Sequence, residues 1–248
     1  MRITKENQKK QERGLIQKCI EKIKFLFSNP SGFFESVKND SIENSLIYLI
    51  LISTVPIIFI FFSILLLYSS KFALTIFISL LPSLLIVVGI VFSISFFVGI
   101  VFTTVLNALF LHIGVIIFGG KKPYEETFKV LVYALTPIII FSPLLYIVII
   151  FQILQFGFSA ISSINYGLFI ILTIPIYLYH IYLLVKGISI LQEISTVRSI
   201  LAVIVQYSII FGILFLIFML FKVLFSIFLT IFTLSGFLEN VYNLLITV

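Results

Sequence analysis

Five long uncharged runs decide most of what this sequence can fold into. They cover residues 44–70 (27 residues), 72–120 (49), 130–185 (56), 199–221 (23) and 223–238 (16). A transmembrane helix needs about 20 mostly apolar residues. The first and fourth runs therefore fit one crossing each. The 56-residue run fits two, with a turn at 157–167, where small and polar residues cluster as Gly-Phe-Ser-Ala-Ile-Ser-Ser-Ile-Asn-Tyr-Gly. The last run is short for a crossing of its own. Composition agrees: 61% of the residues are hydrophobic and 10% charged, and the mean hydropathy is +1.26. Soluble domains are about 45–50% apolar and about 25% charged. A water-soluble globule does not have this composition, and a disordered chain has the opposite one.

The 49-residue run is ambiguous by length alone. As one straight helix it would be about 74 Å long, against a hydrocarbon core of about 30 Å. Positive charge separates the options, because cytoplasmic loops carry an excess of Lys and Arg. Nine basic residues precede the first run, which places the N-terminus inside. If residues 72–120 cross once, Lys121, Lys122, Lys129, Lys186 and Arg198 are also inside, and 14 of the 16 basic residues share one side. If they cross twice, those five move outside. One crossing fits better.

The expected architecture is therefore all-α. It is a polytopic transmembrane helix bundle with five crossings near 45–69, 92–118, 131–155, 166–186 and 200–221. Residues 223–248 would form either an interfacial helix or a sixth crossing. Residues 72–90 read as a re-entrant or interface-lying piece broken at Pro82 and Gly89, or as part of an overlong, tilted second helix. Residues 1–43 form an N-terminal cytoplasmic segment, and residues 44–248 the membrane domain. The first hydrophobic run starts too far into the chain for a cleavable signal peptide and acts as its own membrane signal.

The N-terminal segment carries two helix signals. Residues 1–13 are polar and expected to fray. From 15 to 27, Ile16, Cys19, Ile20, Ile23 and Phe27 recur at helical spacing, and Gln17, Lys18, Glu21, Lys22 and Lys24 take the other face. That is the pattern of a basic amphipathic helix lying in a membrane interface, with Lys18, Lys22 and Lys24 placed to meet anionic lipid headgroups. The competing reading is a helix docked on the protein's own loops. Asn29-Pro30 then reads as the N-cap and first residue of a second short helix with Phe33, Phe34 and Val37 on one face.

Chemistry-bearing residues are sparse. Cys19 is the single cysteine, His112 and His180 the only histidines, and Asp40 the only aspartate. No disulfide framework, cysteine metal site or pair of buried aspartates can be built from that set. No zinc-protease, nucleophile-elbow or phosphate-loop motif occurs, and Gly119-Gly120-Lys121-Lys122 lacks the spacing of a phosphate loop. No Asp or Glu falls deep in an expected helix, which argues against a proton-coupled pathway. His180 reads as a structural hydrogen-bond partner amid Tyr177, Tyr179 and Tyr182. The sequence thus calls for no catalytic residue, cofactor or metal. The net charge of +6 follows from topology and lipid contact rather than from nucleic-acid binding.

Three stretches form a recognisable order. Asn29-Pro-Ser-Gly-Phe-Phe-Glu-Ser-Val-Lys38 precedes the first crossing. Gly119-Gly-Lys-Lys-Pro-Tyr-Glu-Glu-Thr-Phe-Lys-Val-Leu-Val-Tyr-Ala-Leu-Thr-Pro137 follows the second. Tyr182-Leu-Leu-Val-Lys-Gly-Ile-Ser-Ile-Leu-Gln-Glu-Ile-Ser-Thr-Val-Arg198 follows the fourth. In this order the chain resembles the Yip (Ypt-interacting protein) family over roughly residues 25–235. The acidic Asp-Leu-Tyr-Gly-Pro stretch of eukaryotic members is absent, so the likeness is to the prokaryotic-type members. It implies a non-enzymatic scaffold or adaptor in the cell membrane, serving membrane organisation, trafficking-like roles or partner recruitment. Lys121, Lys122, Tyr133, Pro137, Glu193 and Arg198 are the candidate loop residues for that role. They could pair between loops or recruit a partner, and ordinary solvated loop charges are the plain alternative. The partners so implied are the lipid bilayer, its anionic lipids, and a membrane or cytoplasmic protein or a second copy. The competing functional reading is a permease or channel for a small neutral or hydrophobic solute, motivated by the interrupted run 72–120.

Overall fold

A computed structural model describes the backbone of residues 2–69, 81–156 and 166–246. The elements are α1 (Arg2–Ser28), α2 (Pro30–Ser36), α3 (Ile42–Ser69), α4 (Leu81–Ile117), α5 (Tyr124–Ala134), α6 (Thr136–Phe156), α7 (Tyr166–Leu191) and α8 (Thr196–Ile246). Among the described residues every regular element is a helix, and five stretches are long and apolar enough to cross a membrane: Ile42–Ile60, Ser93–Ile117, Tyr124–Val148, Phe169–Leu191 and Thr196–Phe228. The all-α, five-crossing bundle read from the uncharged runs is the architecture found.

Several boundaries differ from expectation, each for a physical reason. The helix containing the second crossing is unbroken from Leu81. Neither Pro82 nor Gly89 interrupts it within the described residues. The overlong-helix reading therefore holds from residue 81, and residues 72–80 fall outside the description. The last helix is likewise continuous, with 51 residues in Thr196–Ile246, so residues 223–246 prolong the fifth crossing instead of turning back as a sixth. The third crossing begins inside what reads as a loop: α5 and α6 are separated by the single residue Leu135, which is itself helical in conformation, and form one span. The expected turn at 157–167 lies largely outside the described residues. At the N-terminus, the backbone of α1 is helical from Arg2 rather than frayed.

Local signals explain the short elements. The Asn29 side chain accepts the Gly32 N–H at 3.0 Å and Pro30 opens α2, as a cap and an N1 proline should. Phe33, Phe34 and Val37 form its buried face. Gly119-Gly120 is a helix stop: Gly119 has φ +89, its N–H donates to the Ile116 carbonyl at 3.0 Å, and the Gly120 N–H donates to Val115 O at 2.8 Å. These two bonds form a Schellman motif, which needs the left-handed residue that glycine supplies most cheaply.

Among the described residues the core sits at one end of the bundle. Leu26, Phe33, Phe34, Leu49, Leu111, Phe128, Tyr133, Leu183 and Leu191 are all buried, and they come from every element from α1 to α7 except α6. Ile139 brings α6 into the same cluster, and Ala202 brings α8. The middle of α8 is exposed on every side, as at Phe211, Leu216 and Phe221, which suits a lipid-facing surface. At the heart of the core is α5, every residue of which from Thr127 to Ala134 is buried. It touches α3, α4, α6 and α7.

Helix approach is closest where glycine permits it. A Cβ on Gly114 of α4 would stand 2.5 Å from the Ala202 carbonyl oxygen of α8, whereas a Cβ on Gly212 would meet nothing within 4 Å. Because lipid tails are as apolar as the helices, such close backbone packing is a main source of association in a bilayer. The two glycines make opposite predictions. Gly114→Ala lowers the thermal midpoint of the detergent-solubilised protein, because backbone must move aside. Gly212→Ala leaves it unchanged or raises it, since alanine is favoured over glycine in a helix by about 0.8–1.0 kcal/mol.

Candidate functional site

The loops that join the elements at the core end converge on Asp40, in the turn between α2 and α3. Its Oδ2 accepts Lys22 Nζ of α1 at 2.5 Å and the Tyr133 hydroxyl of α5 at 3.1 Å. The same hydroxyl accepts Lys22 Nζ at 3.1 Å and Ser45 Oγ of α3 at 3.3 Å. One donated and two accepted bonds fill its capacity. The Tyr133 ring is wholly buried, edge-on to Phe33 with centroids 5.0 Å apart, and equally close to Tyr48. Beside it, Tyr48 Oη and Thr136 Oγ1 lie 2.9 Å apart, tying α3 to the start of α6.

A second cation braces the same turn from below. Lys129 of α5 is 3% exposed, and its ammonium donates to the Lys38 carbonyl at 2.9 Å and the Asp40 carbonyl at 3.1 Å while pairing with Glu126 at 2.8 Å. Three donors thus meet three acceptors, the condition under which a buried ammonium is tolerated. Lys129 therefore supplies the hydrogen bonds that the α2–α3 turn lacks.

Two further bridges close the end of the bundle. His180 of α7 is buried and its Nδ1 lies 2.7 Å from the Ala134 carbonyl. A carbonyl only accepts, so the Nδ1 carries the proton. That carbonyl is the last of α5, one residue before the Leu135 junction with α6. The structural role read for His180 is the one it has. Thr127 receives Gln192 Nε2 at 2.9 Å and sits 2.9 Å from His112 Nδ1, which links α4, α5 and the end of α7.

The exposed rim is ionic. Glu193 Oε1 meets Lys38 Nζ at 2.5 Å and Lys122 Nζ at 3.2 Å, so one carboxylate joins the ends of α2, α7 and the α4–α5 loop. Lys38 first, and Lys122 with it, hold the Glu193 carboxyl below its usual pKa. Glu193 takes a left-handed φ of 56, a conformation in which most side chains are strained. Pairs this exposed contribute little individually, and their effect here is to set loop register.

The sequence-derived residues fall into two groups. Tyr133 and Pro137 are buried, and Lys22 is turned inward to Asp40, so these three organise the fold instead of lining its surface. Lys18, Lys24, Lys121, Glu193 and Arg198 are exposed, and Lys122 is half-buried against Glu193. The Arg198 guanidinium lies against Gly119, 3.5 Å from where a Cβ would stand. On α1 the inward face is Leu26 with half-buried Cys19, Lys22 and Ile23, and it leaves an apolar strip of Ile16, Ile20 and Phe27 exposed beside it. Sequence reasoning missed Lys129, Asp40 and Ser45. Lys129 had a signal: one lysine inside the apolar stretch Phe128–Val132, three residues after Glu126, is the spacing of a helical ion pair sunk into a core. Among the described residues no group of three or more His, Cys, Asp and Glu side chains could hold a metal.

Two predictions follow from this geometry. Lys129→Ala strands Glu126 and the Lys38 and Asp40 carbonyls, and should cost about 3–5 kcal/mol, read as a large loss in thermal midpoint. An unchanged midpoint would show that the turn holds without it. For Lys22, partial burial favours the neutral amine, but the Asp40 carboxylate and the Tyr133 hydroxyl outweigh it and lift the pKa above the usual value of 10.5. A raised cation pKa stabilises the fold fully below the unfolded-state value and ceases to do so as pH rises through the folded-state value. Lys22→Met should therefore lower the midpoint near neutrality, with the gap to the native protein closing above pH 10.5. A gap that persists in stronger base would assign Lys22 a packing role only.

No curated protein sequence and no solved structure matches this chain significantly. The family profile described as the Yip1 domain, however, matches residues 24–220, from within α1 to the middle of α8, and includes every residue of the polar node except Lys22. Since that span is well over half of the chain, and five apolar helices accompany it, the protein is a multi-pass membrane protein that belongs to the Yip1-domain family.

Proposed function

We propose that this protein is a non-enzymatic membrane scaffold whose core-end face lies in the cytoplasm of the cell and recruits an acidic partner. One observation carries the reading: the buried charges of that face are matched internally, while Lys121 and Arg198 stay exposed with no carboxylate partner among the described residues. A face braced by Lys129 and Tyr133 presents those cations at small entropic cost, which favours recognition of a complementary acidic surface. The exposed strip on α1 supports lipid contact beside it, because an apolar helix edge flanked by lysines is the interfacial pattern.

The permease reading has less support over the described part of the run 72–120. It rested on an interrupted second helix, and α4 runs without a break from Leu81 to Ile117.

Charge reversal tests the proposal. Lys121→Glu with Arg198→Glu should abolish in-cell crosslinking to a partner protein captured by the native chain, with the thermal midpoint unchanged because neither residue supports the core. An identical crosslinked set from the double variant would overturn it, as would solute flux in proteoliposomes carrying the purified protein alone.

A further inference from the structure

Between α1 and α3 the structure opens a cleft of about 240 Å³. Its upper lining is polar: Lys18 and Lys22 from α1, Asp40 from the α2–α3 turn and Asn44 from the first turn of α3. The rest of its lining is largely apolar, with Leu15 from α1 and Ile47, Tyr48 and Leu51 from α3. Asn44 and Leu51 are seven residues apart on one helix, so the cleft descends about 10 Å from the polar face toward the membrane interior. The polarity changes along it as it does along a lipid, from headgroup to acyl chain.

The polar groups are not equivalent. Lys22 and Asp40 neutralise each other within the polar node. The Lys18 and Asn44 side chains have no hydrogen-bond partner among the described residues, although both line the opening. Among the described side chains of the same two helices, the acidic ones, Glu21 and Glu43, are not part of the lining. What remains is one uncompensated ammonium and one amide donor above an apolar wall. An anionic headgroup phosphate would accept from both, and its chains would lie against the wall.

We propose that the α1–α3 cleft binds one anionic glycerophospholipid, with its phosphate between Lys18 and Asn44 and its acyl chains against Leu15 and Leu51. The site deepens the lipid-contact part of the functional reading and stands apart from partner recruitment through Lys121 and Arg198. Failure of one test leaves the other intact.

Cys19 lines the same cleft and is the chain's only cysteine, so it reports occupancy without engineering. Burial raises its pKa against the opposing effect of Lys22, which calls for alkylation by neutral N-ethylmaleimide at mildly alkaline pH. The full-length protein in nanodiscs of phosphatidylcholine is titrated with phosphatidylglycerol. Alkylation should slow saturably as phosphatidylglycerol is added, and the half-effect mole fraction should rise about fivefold in Lys18→Gln. Lys24→Gln, an equal charge change on the same helix away from the cleft, should behave as the native protein does. Protection that is unaffected by Lys18→Gln, or weakened equally by Lys24→Gln, would reduce the effect to general surface potential and overturn the site. Protection in phosphatidylcholine by inorganic phosphate alone would also overturn it, as binding of a free anion.

Discussion

The Asp40 carboxylate and the carbonyls on either side of its turn must be satisfied at the edge of a bilayer, and the rest of the end face is arranged around that need. Lys22 reaches the carboxylate from α1, Tyr133 from α5, and Lys129 takes the Asp40 and Lys38 carbonyls from beneath. Within a membrane, apolar side chains gain little by exchanging lipid for each other, so hydrophobicity does not choose between helix arrangements. Polar groups do choose, because an unpaired one is costly wherever water is scarce. The chain's single aspartate therefore fixes the mutual position of α1, α3 and α5.

The central place of α5 follows from the same constraint. It is too short to cross alone, with 11 residues, yet it is buried along most of its length. Its one buried lysine is matched, and its C-terminal carbonyl at Ala134 is taken up by His180. Leu135 keeps a helical conformation and its N–H bonds the Leu131 carbonyl, so the rod continues as α6. The close approach of α4 and α8 at Gly114 and Ala202 is a backbone contact, specific through shape. The described core thus combines two kinds of specificity, matched hydrogen bonds and close backbone packing at a small residue.

The crossings were legible because charge is excluded from lipid and because basic residues collect on one side. Those two rules located the spans from the uncharged runs alone. The Asn29-Pro30 cap and the family order of motifs were legible for equally local reasons. The depth of α5 was not, since a stretch holding Glu125, Glu126 and Lys129 scores as a loop helix unless the ion pair is recognised as internal. Lys22 was hidden for a similar cause. Spacing placed it on a polar face, and its partner Asp40 is 18 residues away in a turn whose position depends on Lys129. Long-range pairing of this kind leaves no periodic trace. The continuity of α4 and α8 was ambiguous because length permits both an overlong helix and a broken one.

A double-mutant cycle on Asp40 and Tyr133 tests the central claim most directly. Asp40→Asn and Tyr133→Phe would be measured singly and together for unfolding free energy in detergent. If the aspartate and the tyrosine hydroxyl act as one node with Lys22, the two changes couple by about 1 kcal/mol or more, and the double variant loses less than the sum. Additivity within about 0.3–0.5 kcal/mol would mean that the two groups stabilise the fold independently, and would contradict the account.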